Sequence, residues 1–168
     1  MNELESYNRR DNLIITGLPT ASAAEIVSAQ TPDRGEHTEA TEKAVQELFR
    51  TQLHVPITPA DISITHRLRK MPKISGPPAV IVRFTNRKAR DAVYAARYQL
   101  RACNPPTYIN EDLTKSAATL FSHARKLVKA RQIHKAWTSG GNVYYRQNSQ
   151  PGCKPVLLTS TMDLPLKA

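Results

Sequence analysis

An α+β fold is what the sequence predicts, and three observations predict it. Four short runs with strand character, 12–19, 61–68, 78–84 and 105–113, are interleaved with two amphipathic helical stretches. Their order, βαββαβ, is the ferredoxin-like split-βαβ pattern. Beyond residue 111 the pattern breaks into one long helix, a β-hairpin and a short strand, which predicts a second, small α+β domain. The expected organisation is therefore a polar lead segment at 1–11, a first domain at 12–111, a second at 112–163 and a tail at 164–168.

The elements follow in order. MNELESYNRRD (1–11) is polar and too short to fold alone. NLIITGLP (12–19) reads as a strand closed by Gly17 and Pro19. Residues 20–37, polar and containing Pro32 and Gly35, predict a long mobile loop. Thr38 is placed to cap a helix with Glu39 and Glu42 in its first turns, a buried stripe of Val45, Leu48, Phe49 and Leu53, and Pro56 just past its end. In DISITHRL (61–68) alternation puts Ile62 and Ile64 inward and Ser63, Thr65 and Arg67 outward.

The basic connection RKMPKISGPP (69–78) leads into PAVIVRF. There Val80, Val82 and Phe84 share one face, and Ala79, Ile81 and Arg83 the other. Residues 87–102 predict a helix with Ala89, Val93, Ala96 and Leu100 toward the core and Arg90, Tyr94, Arg97 and Arg101 on another face. PPTYINEDL (105–113) supplies the fourth strand. A helix from Thr114 to Arg131 buries Ala117, Leu120, Phe121, Ala124, Leu127 and Val128, with Arg125, Lys126 and Lys129 on its other side. HKAWTSGGNVYYRQ (134–147) predicts a hairpin whose Ser139-Gly140-Gly141-Asn142 turn tolerates positive φ, and PVLLTS (155–160) a last strand.

Charge narrows the function. The net charge of the 168 residues is +10, but residues 1–37 and 38–60 carry −3 and −1, while 61–112 and 113–168 carry +6 and +8. That asymmetry favours a polyanionic partner, and nucleic acid over a membrane because no apolar basic helix is present. Cys103 and Cys153 make no disulfide framework or zinc set, and no signal peptide or membrane-length apolar run occurs, so cytoplasm or nucleus is expected. The five histidines are scattered, and no nucleophile elbow or phosphate-cradling glycine loop occurs. Glu111 and Asp112 point opposite ways along a strand and suit a role at the following helix start. No enzyme, metal or cofactor is expected.

A sheet with one open, arginine-bearing face is how RNA-recognition-motif domains hold single strands, with bases stacked on aromatics. Here the third-strand aromatic positions fall on Ala79 and Ile81 and the first-strand position on Ile14, so base stacking on that sheet is not expected. Arg67 and Arg83 remain. A guanidinium forks onto phosphate oxygens or lies flat on a base, which predicts sequence-tolerant, salt-sensitive binding.

RRDNLIITGLP, ITHRLRK, PAVIVRFTN and YINEDLTKSAATLFSHARKLVKARQIHKAWTSGGNVYYR together resemble the first open-reading-frame protein of LINE-type retrotransposons. The second half is also similar to the carboxy-terminal domain of the baculovirus few-polyhedra (FP) protein. The retrotransposon resemblance implies an RNA-recognition-motif domain followed by a small carboxy-terminal domain, with single-stranded RNA or DNA in a basic cleft between them, and RNA coating and chaperone activity. It marks Arg69, Lys70, Lys73, Arg97, Arg125 and Lys126 as binding residues. Arg90, Arg101 and Lys129 join them through the helix faces described above. An aromatic near the hairpin tip of mammalian members is replaced by Ser139; Trp137 falls on an aliphatic position and is expected in the core, and Tyr144, opposite Val143 and Tyr145, is a further candidate contact. Family members oligomerise through a long upstream coiled coil. Residues 1–11 look like its last turns, which implies a monomer here. The FP resemblance implies a non-enzymatic structural or protein-interaction role instead.

Overall fold

The computed structural model describes residues 2–20, 35–69, 73 and 75–164. In chain order its elements are α1 (Asn2–Arg9), β1 (Asn12–Thr16), α2 (Gly35–Thr51), β2 (Ile62–Arg67), β3 (Val80–Phe84), α3 (Arg87–Ala96), β4 (Tyr108–Glu111), α4 (Lys115–Lys129), β5 (Lys135–Ser139), β6 (Asn142–Arg146) and β7 (Val156–Leu158). The chain is mixed α+β with two antiparallel sheets. It divides into two units: residues 11–110 form one, and α1 with the chain from Glu111 onward forms the other.

In the first unit the strands lie in the order β2-β3-β1-β4, with β3 antiparallel to both β1 and β2. Leu13, Ile15, Val80, Val82 and Phe84 from one sheet face meet Val45, Leu48, Phe49 and Leu53 of α2 and Val93 of α3. Burial of each such side chain stabilises the unit by about 1.5–3 kcal/mol. The rings of Phe49 and Phe84 stack with centroids 6.1 Å apart. Gly17 ends β1 at φ 83°, and a Cβ there would run into the carbonyl oxygen of Pro106. Only glycine suits both the backbone and the gap.

Three features of this unit depart from the sequence reading. First, α2 starts at Gly35, so Thr38 lies inside the helix and is not its cap. Residues 21–34 of the expected loop lie outside the described residues. Second, an irregularity between Ile62 and Ile64 shifts the register of β2 on β3, so that Thr65 and Arg67 pair with the core-facing Val82 and Val80. A bulge of this kind moves every later side chain to the other face. Thr65 and Arg67 are buried, and Ile64 is 51% exposed. Third, the helix over 87–102 is α-helical only to Ala96 and then tightens to a 3₁₀ turn over Arg97–Ala102.

In the second unit α4 packs on one face of the β5-β6-β7 sheet, through Ala117, Ala124, Val143, Tyr145 and Leu158. Thr114 caps α4, its hydroxyl accepting from Ala117 N at 3.2 Å. Gly140 and Gly141, at φ 59° and 82°, turn the hairpin, both in the conformation a two-residue turn between twisted strands requires. Glu111 and Asp112 are not caps: Glu111 accepts from Gly141 N at 2.9 Å, and Asp112 accepts from Arg9 of α1 at 2.8 Å. Near the end of the unit Thr159 Oγ1 and Ser160 N donate to the Asp163 carboxylate, holding its pKa below the usual range.

Candidate nucleic-acid interface

The open face of the first sheet is built by alternation outside the register shift. Arg83 stands on β3 across from Asn12 of β1, is exposed, and has no ion pair among the described residues. Beside it on β2 lies the exposed Ile64. On β4, Tyr108 is 60% exposed because Ile109 and Glu111 take the inward positions. The third- and first-strand aromatic positions are indeed aliphatic, yet Tyr108 gives this face one ring. It was legible in the alternation of YINE, in which Ile109 is the natural core residue.

Arg67 is a correction. Its side chain is 4% exposed and donates to the carbonyl oxygens of Leu18 (2.7 Å), Pro78 (2.9 Å) and Pro19 (2.9 Å). The guanidinium satisfies three carbonyls that proline-rich backbone leaves without a ladder partner, so its function is to hold the end of β1 against the start of β3. Its neighbour Arg69 is exposed and lines a largely apolar depression with Thr16, Pro19, Pro77 and Pro105. Lys73 is exposed, and Lys70 lies outside the described residues.

The arginine stripe of α3 is reorganised rather than absent. Arg90 is only 5% exposed; it donates to Asp91 at 3.0 Å and lies 5.2 Å from the ring centroid of Tyr94. It belongs to the packing of the helix, not to a free binding face. Arg97 lies 3.8 Å over the other end of this cluster, on the same ring, and donates to Tyr94 O at 2.7 Å. Arg97 is half-buried, and its guanidinium is held over the ring within reach of a further phosphate contact. The 3₁₀ turn then breaks the stripe. Four residues advance about 120° in a 3₁₀ turn but only about 40° in an α-helix, so the exposed Arg101 leaves the face that Arg97 occupies.

On α4, Arg125, Lys126 and Lys129 are all exposed, as the helical period requires. Arg125 lies 5.7 Å from the Phe121 ring, one turn earlier, which anchors its stem along the helix. On the hairpin, Trp137 is a second correction. It is half-buried, pairs across the strands with Tyr144, and stacks on it with centroids 6.0 Å apart, on the face away from α4. Neither ring joins the hydrophobic core of the unit. Lys135 and Arg146, which pair with each other on the same face, were not singled out from the sequence, although the two-residue turn fixes their register.

Chemically the arrangement offers cations and two stacked rings. Among the described residues no group of His, Cys, Asp and Glu is disposed to hold a metal ion, and no described helix is long and apolar enough to cross a membrane. Both cysteines are free. Neither a protein-family model nor a curated protein matches the chain.

Proposed function

We propose that the chain is a non-enzymatic, sequence-tolerant module that binds single-stranded nucleic acid, derived from a LINE-type retrotransposon protein that coats RNA and acts as a nucleic-acid chaperone. The observation that carries this reading is Arg83, an exposed guanidinium without an acidic partner among the described residues, on the open face of a β2-β3-β1-β4 sheet. That strand order accords with an RNA-recognition-motif type of ferredoxin-like domain. The first unit also carries Arg69, Lys73 and Arg97, and the second unit separately carries the exposed Arg125, Lys126 and Lys129. Each engages the sugar–phosphate chain, which is the same for every sequence.

A second reading is a structural or protein-interaction role of the FP kind, and it draws on the exposed Ile64 beside Arg83 and the exposed Tyr108 on β4 of the same sheet. Salt separates the two. Affinity for a labelled single strand is expected to fall about three decades between about 50 and about 200 mM salt, if about six phosphates are neutralised. The double variant Arg83→Gln with Arg125→Gln should lower the slope by about two and weaken binding at low salt, with unfolding by urea unchanged. Weak binding that ignores salt, or unchanged binding by the folded double variant, would favour the second reading.

A further inference from the structure

The hairpin sheet has two unlike faces. Thr138, Val143, Tyr145 and Leu158 are buried, and the last three belong to the core with α4. The opposite face presents Lys135, Trp137, Ser139, Asn142, Tyr144 and Arg146, an alternation that the cross-strand register makes continuous. Its centre is the Trp137–Tyr144 pair, inclined by 19°. Two cations stand at its edge: Lys135 Nζ is 5.8 Å and the Arg146 guanidinium carbon 6.0 Å from the indole centroid. Leu157 of β7, paired with Tyr144 and 46% exposed, continues the apolar floor.

We infer that this face is a stacking platform for unpaired nucleobases, with Trp137 and Tyr144 taking the base planes and Lys135 and Arg146 the flanking phosphates. The inference deepens the nucleic-acid reading above and rests on it. Neither ring joins the core, both stay partly open to solvent, and the charged side chains 5.8 and 6.0 Å from the indole centroid, Lys135 and Arg146, are cations. The surrounding sequence is complementary to a polyanion as well, since from Leu113 to Ala168 the one acidic residue is Asp163, whose carboxylate is engaged by Thr159 and Ser160. Aromatic platforms bordered by cations bind single strands with little sequence preference, because every base has a π face. A duplex, whose bases are already stacked, would use only the cations. The first sheet thus supplies phosphate contacts, and the hairpin supplies the stacking that the aliphatic Ile14, Ala79 and Ile81 cannot.

Trp137 is the only tryptophan in the chain, so its emission reports on this site alone. Titration of the full chain with oligo-uridylate at low salt is expected to quench that emission over the same concentration range as binding followed by anisotropy of a labelled strand. Inorganic polyphosphate of equal charge should bind with little quenching. Tyr144→Leu should weaken oligo-uridylate binding roughly tenfold or more, Tyr144→Phe should restore it, and neither should alter polyphosphate binding. Trp137→Leu, which keeps apolar bulk, should act as Tyr144→Leu does. Salt-sensitive oligonucleotide binding with no quenching, equal quenching by polyphosphate, or full affinity in the folded Trp137→Leu and Tyr144→Leu variants would overturn the platform and leave the nucleic-acid reading standing. Failure of any oligonucleotide to bind at low salt would overturn both.

Discussion

Arg67 shows how one side chain changes its role when a strand shifts by a residue. Counted from Asp61 by strict alternation it belongs to the open face; after the bulge at Ser63 it sits above Val80 and binds three carbonyls. Replacing it by Met keeps the apolar stem but leaves the buried Leu18 and Pro78 carbonyls without this donor. Arg67→Met is expected to destabilise the first unit by at least about 2 kcal/mol, read as a lower urea midpoint with unchanged slope. Binding by the fraction that remains folded should be unchanged; lost affinity at unaltered stability would return Arg67 to the binding surface. His54 makes the opposite point. It closes α2 at φ 56°, where Val55 N reaches back to Phe49 O at 3.0 Å, a helix ending usually given to glycine. His54→Gly is expected to raise stability by about 0.5–1 kcal/mol, measured by the same titration.

At the level of elements, most of what was legible followed from period. The buried stripe Val45, Leu48, Phe49 and Leu53, the alternation in β3, and the glycine turn between β5 and β6 could be read directly, because each is set by residues within a few positions of one another. What could not be read depends on partners distant in sequence. The bulge in β2 exists because Ile62 pairs with Phe84 while Ile64 pairs with Arg83, and no property of DISITHRL alone dictates it. The change from α to 3₁₀ geometry at Arg97 carries no glycine or proline to announce it. The site divides along the same line. Arg83, Arg125, Lys126 and Lys129 stay on the surface that the period assigns them, whereas Arg67 and Arg90 are withdrawn by tertiary packing. Trp137 departs for a further reason: its match to an aliphatic position of the resembled family argues for the core, but the face of a strand is decided by its neighbours, and Ala136 and Thr138 are the residues turned to the core side.

For the molecule as a whole the decisive fact is that the second unit is discontinuous. α1 belongs with the chain from Glu111 onward, and Arg9 is bonded to Asp112 at 2.8 Å. Gly141 lies close to α1 as well, since a Cβ there would come within 2.8 Å of Ser6 Oγ. Removing residues 1–10 is therefore expected to weaken the second unit and spare the first. Hydrogen exchange should show faster exchange in α4, β5 and β6, with the amides of β1 and β3 still protected. Uniform loss across both units would contradict the division.

That discontinuity also sets an order of events during synthesis. α1 leaves the ribosome ahead of the hundred residues 11–110, and its partners are made only afterwards. At about 5–20 residues per second, several seconds pass between the synthesis of α1 and that of Asp112 and Gly141, the groups it lies against in the folded unit. The nascent chain thus carries a finished unit between two unfinished halves of another, and Asp112 and the turn at Gly141, against which α1 lies, follow only after it.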